Sequence, residues 1–126
     1  MLFSMKAIFV FASLVSTFYT MDRILRLKAF IERYPADMFS RHALAMELLK
    51  LGQYADALEA MNSLLAVDEN HSGTYYHLGK LYEQLGDHEN ALKVYEKGII
   101  IAGKVNAEND CRELKGALSQ LKDELD

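Results

Sequence analysis

Two stretches of this chain, LAMELLKLGQYADALEAM from Leu44 to Met61 and LGKLYEQLGDHENALKVY from Leu78 to Tyr95, align without a gap at one step of 34 residues. Leu44/Leu78, Leu51/Leu85, Gly52/Gly86, Ala57/Ala91 and Leu58/Leu92 are identical, while Ala45/Gly79, Leu48/Tyr82 and Met61/Tyr95 keep a small or a large side chain. A fixed period of this length makes each copy one supersecondary unit that buries its apolar face only by stacking on neighbours. Apolar residues recur at three- and four-residue intervals, and no alternating strand pattern interrupts them. The expected fold is all-α: a short α-solenoid of antiparallel helical hairpins.

Breakers place the helices. Ile24, Leu27, Ile31 and Tyr34 form an apolar stripe, widened by Leu25 and Phe30, that begins just after Met21. Tyr34-Pro35 ends it, because proline disfavours helical geometry in the residue before it, and Asp37 suits the next N-cap. Gly52 and Gly86 each follow a Leu at a helix end, where a left-handed residue is wanted. Longer turns fall at Asp68 to Gly73 and Gly103 to Asn106. The spacing predicts helices near 22–34, 38–51, 54–67, 73–85, 88–102 and 107–125.

The second copy carries Tyr75-x₂-Leu78-Gly79-x₂-Tyr82 followed by Ala91-x₃-Tyr95, and the first carries Leu44-Ala45-x₂-Leu48 followed by Ala57-x₃-Met61. These residues resemble the tetratricopeptide repeat (TPR) pattern, although Arg41 stands where an aromatic is expected. Pro35 falls at the closing proline of an earlier unit. The resemblance implies a TPR domain over 21–126, made of a half repeat at 21–37, full repeats at 38–71 and 72–105, and a capping helix at 106–126. In the cap, Cys111, Leu114, Leu118, Leu121 and Leu125 make one apolar stripe, with Glu113, Lys115, Lys122 and Glu124 outside it.

The resemblance also implies a function: a non-catalytic module, of the kind found as small stand-alone bacterial TPR proteins, that holds a peptide or helix of another protein in a concave groove. Carried over position by position, the groove-facing residues are Phe39, His42, Ala43, Met46, Leu49 and Lys50 in one unit, and Gly73, Tyr76, His77, Lys80, Glu83 and Gln84 in the next. Family members that grip acidic chaperone C-termini use a two-carboxylate clamp with paired Asn. Met46 and Lys80 stand where Asn would be wanted, which argues against that ligand.

Other chemistries find little to work with. A net charge of −4 disfavours nucleic acid, which calls for a clustered basic face. The charge is uneven, with Arg23, Arg26, Lys28, Arg33 and Arg41 early and Glu108, Asp110, Glu113, Asp123, Glu124 and Asp126 late. Such ends suit a weak head-to-tail homo-oligomer. Cys111 is the single cysteine, on an apolar helical stripe, and reads as a packed thiol. His42, His71, His77 and His88 form no i, i+4 pair and have no neighbouring Cys, so no metal site is expected. No phosphate loop, nucleophile elbow or H-E-x-x-H motif is present, and neither catalysis nor a cofactor is expected.

Residues 1–20, MLFSMKAIFVFASLVSTFYT, hold one charge, Lys6, and the apolar run Ala7 to Val15. Three readings stay open: an extension upstream of a true start at Met21, an export signal or membrane anchor without an A-x-A cleavage pair, and a packed helix. The TPR portion alone reads as cytoplasmic. The alternative is an exported or membrane-tethered structural component that uses residues 1–20. Within the cap, Leu118→Asp is expected to unravel the C-terminal end, seen as a lowered melting temperature.

Overall fold

The structure, a computed structural model, describes residues 4–126. Residues 1–3 of the apolar extension lie outside the described residues. Helices account for nearly all of it: α1 Met5–Arg33, α2 Met38–Lys50, α3 Tyr54–Val67, α4 Ser72–Gln84, α5 His88–Lys104 and α6 Glu108–Leu125. No strand occurs among the described residues. The chain divides into two compact units, the first ending at Ala57 and the second running Leu58–Asp126.

In the first unit α1 packs on α2. The helix expected to begin near residue 22 starts at Met5 instead, because residues 5–20 contain neither Gly nor Pro and nothing breaks the ladder before Tyr34. Ser4 caps it, its hydroxyl accepting from the Ala7 amide at 3.2 Å. Thr20 and Ile24 are buried, and Leu27 and Ile31 half-buried, as the stripe predicts. Leu25, Phe30 and Tyr34 do not join them and stay exposed, since α2 covers only one side of the helix. Arg23 reaches the buried Glu47 carboxylate at 3.6 Å.

Tyr34-Pro35 ends α1, and Asp37 caps α2 by accepting from the Ser40 amide at 2.9 Å. Hydrogen bonding from the Ser40 side chain, and then from this amide, favours the ionised carboxylate and holds Asp37 below the usual aspartate range. Arg41, the residue that departs from the repeat pattern, donates through Nε to the Pro35 carbonyl at 2.6 Å and fastens the turn.

The helix ends share one device. Gly52 has φ +75° and Gly86 φ +79°, the left-handed region where glycine meets no Cβ penalty. In both, two backbone hydrogen bonds close the last turn: the Gly52 amide donates to the Leu49 carbonyl and Gln53 to Leu48, and Gly86 donates to Glu83 and Asp87 to Tyr82. The same pair closes α5 at Asn106, φ +59°, through Asn106 to Gly103 and Ala107 to Ala102. Gly103, expected in a turn, is therefore the last turn of α5, and the short polar Asn takes the left-handed position.

In the second unit α5 packs on both α4 and α6, and α4 also meets α6. The core is Tyr75, Ala91, Tyr95, Ile101, Ala102, Leu114, Ala117 and Leu121. Gly79 lies flat against the Tyr95 ring, so close that a Cβ there would fall inside it. At Gly98 a Cβ would come within 2.6 Å of Tyr75 Cβ and 3.0 Å of Leu114. Small residues here set how near the helices approach. Leu114 and Leu121 are the fully buried anchors of α6, while Cys111 and Leu118 pack half-buried at the edge of the core and Leu125 is exposed.

Gly79→Ala is expected to lower stability by ~1–3 kcal/mol, because the Tyr95 ring is fully buried and has nowhere to move. Gly116→Ala, in open space on α6, is expected to raise it by ~0.4–1 kcal/mol through the unfolded chain. Paired denaturant unfolding curves check both signs.

Candidate functional site

The second unit brings four of its six candidate residues together on α4. Tyr76 and His77 meet edge to face, with ring centroids 5.6 Å apart and planes at 84°. The Lys80 ammonium lies 5.9 Å from the Tyr76 ring centroid, within cation–π reach, and 3.5 Å from Glu83 Oε2. That same Glu83 oxygen accepts from the Tyr95 hydroxyl. Burial, then the Glu83 hydrogen bond, drive the Tyr95 phenol far above its ordinary value, so it stays a donor at any physiological pH. Gln84 is exposed beyond this cluster.

His77 is half-buried. Desolvation lowers its pKa below the ordinary 6.5, against the opposing pull of Glu113 and Asp110 on α6, so at neutral pH the ring is uncharged. Ser72 at the start of α4 donates to Asp110 Oδ2 at 2.5 Å, which ties α4 to α6. Asp110 and Glu113 thus sit beside the candidate face, a part of it that the motif comparison overlooked. The signal was there: one further step of 34 residues from Tyr76 lands on Asp110. The cap reading of α6 hid it.

In the first unit Phe39, His42, Met46 and Lys50 recur at helical spacing along α2. Phe39 is 79% exposed, Lys50 is exposed, and His42 and Met46 are half-buried. An apolar ring this exposed on a folded helix is a ready contact, whereas Glu47, buried one residue after Met46, serves the ion pair with Arg23. Among the described residues no three His, Cys, Asp or Glu side chains gather as a metal site would need.

The profile of the tetratricopeptide repeat family matches residues 42–105. A TPR repeat-containing protein of Methanocaldococcus jannaschii is 32% identical over 92 residues, 73% of this chain and 27% of the relative, so the chain spans about a quarter of that relative's length. A crystal structure of a tetratricopeptide repeat domain protein from Salinibacter ruber shares 40% identity, covering 68% of this chain and 97% of that one, with a TM-score of 0.65. PcrH, solved in complex with the chaperone binding region of PopD, has the same helical-repeat fold at 19% identity and a TM-score of 0.79, over 98% of this chain and 97% of its own.

Because the folded state resists protonating His77, stability is full above pH 6.5 and falls as pH drops below it. Wild-type melting temperature should therefore fall more than that of His77→Gln between about pH 7.5 and about pH 5.5. Equal falls in the two proteins refute the burial of this imidazole.

Proposed function

The chain belongs to the tetratricopeptide repeat family, and from that premise we propose that it is a non-catalytic adaptor or assembly factor that holds a peptide or helix of a partner protein against the face of α4. The family is generally a non-catalytic interaction domain. The observation that carries the reading is the ordered cluster of Tyr76, His77, Lys80 and Glu83, whose side chains are held in place before any ligand arrives. Preorganised aromatic and polar groups bind without the entropy cost of ordering flexible side chains. PcrH, with the same fold, holds a segment of another protein, which supports the same use here.

The cluster also shapes what the ligand is. Lys80 is already paired with Glu83, and His77 carries no charge at neutral pH. Such a face suits a segment anchored by apolar or aromatic side chains and oriented by a few polar contacts, rather than one held by a bare terminal carboxylate. Phe39 and Met46 on α2 offer the same kind of adaptable contact.

A pull-down from the source cell, with the full chain in mild detergent as bait, tests this beside a His77→Ser, Lys80→Glu double variant. The substitution sets a second carboxylate next to Glu83 and removes the Tyr76 neighbour. A protein captured by the parent and lost by the variant, with helical content unchanged, is the expected result. Equal capture by both would move binding away from α4.

A further inference from the structure

The first half of α1 is apolar on every side. Ile8, Phe9, Val10 and Phe11 are 54%, 79%, 58% and 69% exposed, and four successive residues cover most of the circumference of a helix. Leu14, Val15, Phe18 and Tyr19 continue the pattern, with Phe18 at 69% and Tyr19 at 70%. A protein groove covers one face of a helix; only a surrounding apolar solvent covers all of them. The helix is long and apolar enough to cross a membrane, and little of that stretch is buried, which sets it apart from the core helix of a globular domain.

We propose that residues 5–21 of α1 are an uncleaved membrane anchor, with the repeats on the cytoplasmic side. As helix, these residues rise ~26 Å against a hydrocarbon core of ~30 Å. Lys6 is their one charge, near the far end, and its long stem lets the ammonium reach the interface and take up the shortfall. The Thr17 hydroxyl in the span is accommodated by the helix itself, its Oγ1 donating to the Ser13 carbonyl at 3.0 Å. Tyr19, at the inner boundary, is the amphipathic ring that membrane interfaces favour.

Orientation follows from the flanks. Arg23, Arg26, Lys28 and Arg33 follow the span closely, against Lys6 before it, and basic residues stay on the cytoplasmic side. Retention follows from the backbone: no A-x-A pair precedes residue 21, and α1 runs unbroken through Thr20 and Ile24, which are buried in the first unit. This inference stands apart from the groove reading, since neither uses the other's residues.

The test expresses the full chain in a bacterial cell, washes the membranes with alkaline carbonate, and measures intact mass and protease sensitivity. The expected result is a full-length chain that resists the wash, survives protease added to spheroplasts, and is digested once the membranes are opened. A variant with Phe11→Asp and Leu14→Asp should lose most of this retention, while Phe11→Leu keeps it. A soluble parent, a soluble dimer by light scattering, a mass that starts after residue 20, digestion in intact spheroplasts, or a double-Asp variant that stays in the membrane would each overturn the proposal.

Discussion

The contact between Gly79 and the Tyr95 ring governs the second unit. With no side chain at Gly79, α4 and α5 close until the ring occupies the space a Cβ would need. That ring is then fully buried, and a buried phenol must find an acceptor. It finds Glu83, one turn beyond Gly79 on the same helix. Glu83 in turn draws in Lys80, which lies over Tyr76, which meets His77. The candidate binding face is thus ordered by a packing event in the core, through a continuous series of contacts rather than by residues placed on the surface one at a time.

The same frame appears in the first copy without this relay. Stepping by 34 residues, Tyr95 becomes Met61, Glu83 becomes Leu49, Lys80 becomes Met46 and Tyr76 becomes His42. A thioether has no hydroxyl to satisfy, so nothing calls for an acid at 49, and without the acid nothing anchors an ammonium at 46. The substitutions are correlated for a physical reason. What remains on α2 is a softer face of Phe39, His42 and Met46 ending in Lys50, and the two copies therefore share a backbone and differ in chemistry.

Much of this was legible in the sequence where a residue type has one structural use. Gly52 and Gly86, at equal repeat positions, mark left-handed helix ends, and both adopt them. Pro35 and Asp37 mark the α1 to α2 break, and both act there. Asn106 was harder, because Asn serves many turns and Gly103 nearby was the stronger lure. The place of Asp110 and Glu113 beside His77 was masked by reading α6 only as a lid, although a lid on α5 that also meets α4 must border the α4 face. The length of α1 was missed because a change from apolar to amphipathic at Met21 looks like a boundary, whereas a helix ladder is broken only by Gly, Pro or a competing cap.

The first and last helices solve opposite problems with the same secondary structure. In α6, Leu114, Ala117 and Leu121 point to the core, and Glu113, Lys115, Lys122 and Glu124 are exposed, which is how a terminal helix closes a repeat against water. In α1 only Thr20, Ile24, Leu27 and Ile31 find cover, while Leu25 remains 67% exposed among Asp22, Arg26 and Lys28. A water-facing cap would have exchanged that leucine and the phenylalanines before it for charged side chains, as α6 does. Set at the inner surface of a bilayer, the same pattern makes sense. In the proposed anchor the apolar turns would lie in hydrocarbon, the basic residues would face the anionic headgroups, and Leu25 between them would sit at the interfacial depth where an apolar side chain on a basic helix is stable.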